Sequence, residues 1–171
     1  IIIGIETSCD ETAIAVLEVN PPSRKASEGH SGRIKVLSNT VSSQVNLHAK
    51  YGGVVPNLAA REHVKNIRHV FNLALREAKI KNFEKEIDLI TVTRGPGLGP
   101  ALLVGIAFAR VIAWKHNKPL VGVNHLAGHI YSNWLPIAVN SKSKTLNPKQ
   151  IQNSKFKIQN KKIFPIMNLI V

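Results

Sequence analysis

The sequence contains a single cysteine and no long apolar run. Cys9 has no second thiol to pair with, which excludes an internal disulfide and a cysteine-based metal cage. No stretch reaches the roughly eighteen apolar residues of a membrane helix, and residues 1–6 do not have the basic and apolar segments of a signal peptide. These absences predict a cytoplasmic protein in a reducing compartment, with no membrane partner.

Acidic residues are scarce, because ten Asp and Glu face 23 Lys and Arg and give a formal net charge of +13. Residues 140–171 contain seven lysines and no acidic residue. A basic surface attracts polyanions such as RNA and makes their binding sensitive to salt. A solvated, lysine-rich insertion is the alternative interpretation of the same stretch.

The apolar pattern, within a hydrophobic content of 44%, predicts one substantial α/β domain. In the helix predicted at 57–80, apolar residues such as Val64, Ile67 and Phe71 recur at helical spacing, and Asn57 is a candidate cap. Strands that alternate with helices favour helices packed on a sheet. Strands are predicted at 1–5, 13–17, 33–41, 88–93, 119–123 and 163–171, and helices at 57–80, 101–116 and 125–135.

Two histidines, His125 and His129, stand four residues apart. On a helix they would lie on one face with Cβ atoms about 6 Å apart, close enough to hold one metal ion. A catalytic metal needs about three protein ligands, so the pair is incomplete by itself. Leu126 stands where a zinc protease would carry its glutamate base. Two histidines on a polar helix face remain the alternative.

A glycine-rich loop at 93–100 connects a predicted strand to a predicted helix. Gly95 and Gly97 would let the backbone approach a ligand, and the start of the next helix favours an anion. The loop lacks the Lys-Ser/Thr of a P-loop, and Pro100 stands where a dinucleotide fingerprint has its last glycine. A tight structural turn is therefore the competing interpretation.

An acidic turn joins the first two predicted strands and contains Asp10 and Glu11. Such turns also form for conformational reasons, because Asp side chains bond to nearby backbone. The polar segment 43–56 ends in a Gly-Gly turn, and its composition indicates only a connection.

Taken in order, four segments resemble the tRNA threonylcarbamoyladenosine transferases of the bacterial TsaD type, formerly described as O-sialoglycoprotein endopeptidases or glycoproteases. The similarity covers nearly all of residues 1–139 and resumes at 164–171. The matching segments are GIETSCDET at 4–12, YGGVVP at 51–56, TRGPGL at 93–98 and NHLAGH at 124–129.

The resemblance implies the N-terminal lobe of an actin-like ATPase fold, of the sugar kinase, heat-shock and actin superfamily and ribonuclease-H-like, with a mixed sheet and helices on its faces. This lobe would span 1–139, followed by a basic insertion at 140–162 and a strand at 163–171 that leads into a second lobe. Family members obtain their third metal ligand, an aspartate, from that second lobe. Since the only methionine is Met167, we expect the numbered chain to lack its first residues. We also expect it to be inactive alone.

The implied reaction transfers a threonylcarbamoyl group from its adenylate to the exocyclic amine of the adenosine beside the anticodon, in tRNAs that read A-starting codons. Residue by residue, the family's metal pair falls on His125 and His129, with iron(II) favoured over zinc as the single divalent ion. Its acidic catalytic residues fall on Asp10 and Glu11. The adenylate or ATP-type nucleotide would contact substrate-binding positions at Gly95, Gly97 and Val171. Asn57 stands where the family has a glutamate.

The implied partners are tRNA, threonylcarbamoyl-adenylate, a paralogous TsaB-type subunit and a TsaE-type ATPase. Two other functions remain open at this point. One is a metalloendopeptidase, against which Leu126 argues, and the other is a non-catalytic, partner-binding paralogue, against which the retained His125 and His129 argue.

Overall fold

The computed structural model describes residues 1–20, 33–133 and 135. The predicted insertion at 140–162, the predicted strand at 163–171 and the candidate substrate contact Val171 lie outside these residues and stay predictions. The strands are β1 Ile2–Glu6, β2 Glu11–Asn20, β3 Arg33–Ser43, β4 Leu89–Gly95 and β5 Leu120–Asn124. The helices are α1 Val45–Ala49, α2 Pro56–Glu77, α3 Phe83–Glu86, α4 Gly99–Lys115 and α5 His125–Ser132.

The five strands form one mixed sheet in the order β3-β2-β1-β4-β5. β1, β2 and β3 pair antiparallel, whereas β4 lies parallel to both β1 and β5. Short turns suffice for antiparallel neighbours, but parallel neighbours need a longer crossover, which α2 and α4 provide here. The prediction of an α/β domain with a mixed sheet is confirmed.

The core lies between the sheet and the two long helices. Ile3 pairs with Val16 on one side and Ile90 on the other, so alternate residues of three strands share one buried face. α2 and α4 pack side by side on that face, and the rings of Phe71 and Phe108 meet edge to face with centroids 5.3 Å apart. Because β1 and β4 are parallel neighbours, their carboxyl ends lie side by side.

Helix α2 differs from its prediction in its start and in its buried face. Its N-cap is Val55, with Pro56 in the first turn, so the expectation that Asn57 caps the helix is wrong. Val64 is 64% exposed, whereas the polar His63 is completely buried. Hydrophobicity alone cannot predict which face of α2 is buried, because packing against the rest of the domain decides it. The stripe consists of Ala59, His63, Ile67, Val70, Phe71 and Ala74.

Two short helices and the length of β2 also differ from the sequence-based expectations. The segment interpreted as a connection contains α1, and α3 follows Asn82, whose side chain accepts a hydrogen bond from the backbone N–H of Lys85. β2 extends on both sides of the predicted 13–17 because β3 pairs with it along its whole length, whereas β1 pairs only with 13–17. Among the residues described, no helix combines the length and apolar character needed to cross a membrane.

Candidate active site

A cleft of about 520 Å³ opens where β1 and β4 end and α5 begins. In open α/β sheets, ligands bind outside the carboxyl ends of the strands, which is the position of this cleft. The predicted catalytic and metal-binding residues therefore share one site, although they come from distant parts of the chain. The lining residues with carboxylate, hydroxyl or imidazole groups that concern the candidate site are Glu6, Asp10, Glu11, Thr93, His125 and His129.

The two histidines lie on α5 and face each other across one turn. The helix begins at His125, and the side chain of Asn124 caps it by accepting from the backbone N–H of Ala127 at 3.1 Å. The Nε2 atoms of His125 and His129 are 3.0 Å apart, and the rings are nearly perpendicular at 87°. Both ring nitrogens therefore converge on one point at the cleft.

Glu6 determines which nitrogen of His125 is available. The Nδ1 atom of His125 lies 3.2 Å from a carboxylate oxygen of Glu6 and 3.1 Å from the hydroxyl of Ser8. A carboxylate can only accept, so Nδ1 carries the proton and donates it to Glu6. The lone pair of His125 is then on Nε2, toward His129.

The carboxylate of Glu6 is held in its ionised form. Partial burial opposes ionisation, but hydrogen bonds from Ser8, Thr93 and His125 outweigh it, so the pKa of Glu6 lies below its ordinary value. Glu6 is not among the site residues that the sequence predicts. Its position at the carboxyl end of β1 is a signal in the sequence for a role in the site, but only the contact with His125 distinguishes it from Asp10 and Glu11.

Asp10 and Glu11 also line the cleft. Asp10 ends the turn between β1 and β2, and its carbonyl accepts from the backbone N–H of Gln44 at 3.0 Å. Asp10 is partly buried, whereas Glu11 begins β2 and is exposed. The turn is also attached to α4, because the Thr7 hydroxyl donates to the carbonyl of Ala101 at 2.9 Å. The backbone that carries Asp10 is therefore fixed from two sides.

The glycine-rich loop packs against the same turn. The backbone N–H of Leu98 donates to the carbonyl of Ser8 at 2.7 Å, and a Cβ on Gly97 would come within 2.7 Å of Ser8. Close packing against Ser8 thus accounts for a glycine at position 97 without any contact to a ligand. The described residues that line the cleft do not include Gly95 or Gly97, and their contact with substrate stays a prediction.

The histidine pair fits two ligands of one metal ion. Metal–nitrogen bonds of about 2.0–2.1 Å at tetrahedral or octahedral angles place two ligating nitrogens about 2.9–3.4 Å apart, and the two Nε2 atoms are 3.0 Å apart. Among the described residues, no cluster of three His, Cys, Asp or Glu side chains of metal-binding geometry is present. The described part of the chain therefore offers a pair of ligands.

Comparison with solved structures shows the fold. Residues 1–171 resemble YeaZ from Pseudomonas aeruginosa with a TM-score of 0.50 and 19% identity, over 78% of this chain and 48% of that one. This likeness agrees with the actin-like ATPase-type lobe that the sequence predicts.

Comparison with known sequences shows the family. The family model described as "TsaD: tRNA N6-adenosine threonylcarbamoyltransferase" matches residues 35–143. The protein of that name from Thermosipho melanesiensis is 53% identical over 135 residues, which are 79% of this chain and 37% of that protein. The one from Thermomicrobium roseum is 53% identical over 137 residues, 80% of this chain and 33% of that protein. The chain thus spans about a third of these relatives, and it belongs to the tRNA N6-adenosine threonylcarbamoyltransferase family.

Proposed function

We propose that this chain forms the lobe that binds the metal and accepts the proton in a tRNA N6-adenosine threonylcarbamoyltransferase. The single observation that carries the proposal is the convergence of the His125–His129 pair and the Asp10 carboxylate on one cleft. Spacing in the sequence could suggest each motif separately, but only their meeting supports a shared reaction.

The metal we propose is one divalent ion, with iron(II) favoured and zinc as the alternative. His125 and His129 would hold it through Nε2, and further ligands would come from outside the described residues. When bound, such an ion supplies Lewis-acid polarisation of carbonyl or phosphate oxygens. Glu6 supports the pair, because a metal-binding histidine typically donates its other ring N–H to a carboxylate, which fixes its tautomer.

Asp10 is the proposed proton acceptor. The exocyclic amine of adenosine attacks the carbamoyl carbon of threonylcarbamoyl-adenylate, a carbon–nitrogen bond forms, and the bond to the phosphate oxygen breaks. AMP leaves, and the proton that the amine loses passes to the carboxylate. Asp10 suits this role better than Glu11, because its backbone is held on both sides while Glu11 is exposed.

The adenylate would lie in the cleft beside the acidic turn, with its phosphate toward the glycine-rich loop and the start of α4. The N-cap of α4 is Leu98, which makes no side-chain cap, and Pro100 has no N–H, so the backbone N–H groups of Gly99 and Ala101 are the ones without an intrahelical partner. A phosphate there would benefit from the helix dipole. Gly95 and Gly97 are the proposed contacts in this loop.

The proposed partners are tRNA, a paralogous TsaB-type subunit and a TsaE-type ATPase, and a tRNA substrate places the reaction in the cytoplasm. The excess of basic residues suits a polyanion. An apolar stripe on α4 suits a protein partner, because Leu103, Val111 and Trp114 lie on one helical face and are 66%, 59% and 85% exposed.

A chimeric enzyme tests the proposal directly. Residues 1–133 replace the matching part of the Thermosipho melanesiensis protein, and the chimera receives iron(II) or zinc, threonylcarbamoyl-adenylate, the TsaB-type and TsaE-type partners and tRNA. We expect modified adenosine by mass spectrometry of digested tRNA, and its loss in the His125→Ala/His129→Ala variant. The control is His69→Ala on the exposed face of α2.

The same experiment separates the alternatives. A metalloendopeptidase would cleave peptide substrates in a manner that depends on His125 and His129 and would leave tRNA unmodified. A partner-binding paralogue would bind the TsaB-type subunit without any transfer. Either result would overturn the proposed function.

A further inference from the structure

A completely buried histidine, His63 in α2, contacts the turn that carries Asp10. Its Nε2 atom is 3.0 Å from the carbonyl oxygen of Cys9, and its Nδ1 atom is 2.8 Å from the hydroxyl of Thr12. A carbonyl can only accept, so Nε2 carries the proton and Nδ1 accepts from Thr12. The neighbours of the ring thus select one neutral tautomer.

Gln44 and His48 extend this arrangement into a buried chain of hydrogen bonds. The backbone N–H of Val55 donates to Nδ1 of His48 at 3.3 Å, so the Nε2–H of His48 donates to the amide oxygen of Gln44 at 3.1 Å. The amide nitrogen of Gln44 therefore faces Nδ1 of His63, at 3.4 Å. The Gln44 amide nitrogen also donates to the carbonyl of Ala59 at 3.3 Å, so the chain of hydrogen bonds is attached to the backbone of α2 as well as to Cys9.

Two of these groups hold the peptide planes on either side of Asp10. His63 holds the carbonyl of Cys9, which belongs to the peptide before Asp10. The backbone N–H of Gln44 holds the carbonyl of Asp10, which belongs to the peptide after it. Because peptide groups are planar, holding both planes restrains the two backbone torsions of Asp10 and hence the direction of its Cα–Cβ bond, from which the carboxylate extends.

We propose that His63 is a positioning residue, which acts through the Cys9 carbonyl to direct the Asp10 carboxylate into the cleft. The role of Asp10 as proton acceptor rests on the proposed function, whereas the control of its backbone does not. A proton acceptor must reach its proton within hydrogen-bonding distance, and small misplacements are costly for the rate. His63 itself is enclosed by α2 and the turn and does not line the cleft.

The first test uses the 171-residue chain and requires no activity. Nitrogen-15 NMR of the histidine rings is expected to show the Nε2–H tautomer for His63. His63→Leu is expected to speed hydrogen exchange at the backbone amides of Asp10 and Glu11 by at least about tenfold, relative to His69→Leu. An Nδ1–H tautomer, or exchange that matches the His69→Leu control, would overturn the inference.

The second test uses the active chimera and separates positioning from binding. His63→Leu should lower kcat about 100-fold and change KM for the adenylate less than about threefold. His63→Gln keeps a donor near the place of Nε2 and should restore kcat to within about tenfold of wild type. Thr12→Val, which removes the donor to Nδ1, gives a second and milder variant if His63→Leu does not fold.

A double-variant cycle distinguishes positioning from general support of the fold. If His63 acts through Asp10, adding His63→Leu to Asp10→Ala should lower kcat no further. Additive losses, or a His63→Leu enzyme with wild-type kcat, would overturn the inference. If the wild-type chimera is inactive, the proposed function fails, and the NMR and exchange measurements still decide whether His63 holds the turn.

Discussion

The Nδ1 atom of His125, at the start of α5, lies 3.2 Å from the carboxylate of Glu6, at the end of β1. The contact joins residues 119 positions apart and turns the other ring nitrogen of His125 toward His129. Glu6, together with the hydroxyl of Ser8, thus connects the histidine pair to the acidic turn in one site.

Glu6→Gln is expected to weaken metal binding without unfolding the protein. The amide can still accept a hydrogen bond but carries no charge, so His125 becomes a less basic ligand, and affinity should fall about 10–100-fold. Zinc titration by calorimetry measures this, with Glu18→Gln in β2 as the control. Equal affinity in wild type and Glu6→Gln would show that the contact does not support the metal site.

Asp10→Ala in the chimera should lower the rate of tRNA modification at least about 100-fold and leave the far-ultraviolet circular dichroism unchanged. General-base catalysis contributes about 10²–10⁴-fold in rate, so a residual rate above about one hundredth of wild type is not expected. Glu11→Gln should cost less, because Glu11 is exposed. Near-normal turnover of Asp10→Ala would remove Asp10 from the mechanism.

Gly105→Ala is expected to destabilise the domain through the acidic turn. A Cβ at Gly105 would come within 2.3 Å of the Thr7 hydroxyl oxygen, which already donates to Ala101. Overpacking of this kind costs about 1–3 kcal/mol, which chemical denaturation can measure. The matched control is Gly99→Ala at the start of the same helix, where a Cβ meets nothing within 4 Å. Equal stability of the two variants would contradict the close contact.

His63 should make stability depend on pH below neutrality. Burial lowers the pKa of His63 below its ordinary 6.5, and the hydrogen bond to Cys9 and the carboxylates of Glu6 and Asp10 only partly offset it. The unfolded chain therefore binds the proton more readily. The stability from the neutral ring is complete above about pH 6.5 and is lost as the pH falls through the folded-state pKa.

His63→Gln should therefore show a flatter plot of Tm against pH than wild type between about pH 7 and 5. His69→Gln is the control, since His69 is exposed on the same helix. Parallel curves for wild type and His63→Gln would show that the ring titrates as freely when folded as when unfolded.

Trp114→Glu should weaken binding of the TsaB-type subunit and leave Tm within about 2 °C of wild type. The ring is 85% exposed, so its removal costs the fold little, while a charge in an apolar interface opposes docking. Surface plasmon resonance measures the affinity, and Lys115→Gln on the same helix is the control, because it lowers the net charge by the same one unit. If Trp114→Glu binds the subunit as tightly as wild type does, the apolar stripe is not the interface.

Much of the fold could be predicted because local patterns dominate it. The buried strands read as short apolar runs, and α4 and α5 were predicted to within a few residues. Glycines and prolines mark the start of α4, and Asn124 caps the start of α5. Which face of α2 is buried could not be predicted. The polar His63 is buried, with both ring nitrogens hydrogen-bonded, while the apolar Val64 faces solvent. The ends of β2 depend on pairing with β3, which is not a local property.

The sequence by itself determined the alternation of strands and helices, the family, and the four-residue spacing of His125 and His129. These follow from periodicity and from the order of motifs along the chain. Only the tertiary structure decided that β1, β4 and α5 bring Glu6, Asp10 and the two histidines to one cleft. Contacts such as Glu6 with His125 and His63 with Cys9 depend on strand order and helix packing, because hydrogen bonds require distances of about 3 Å that no sequence separation encodes.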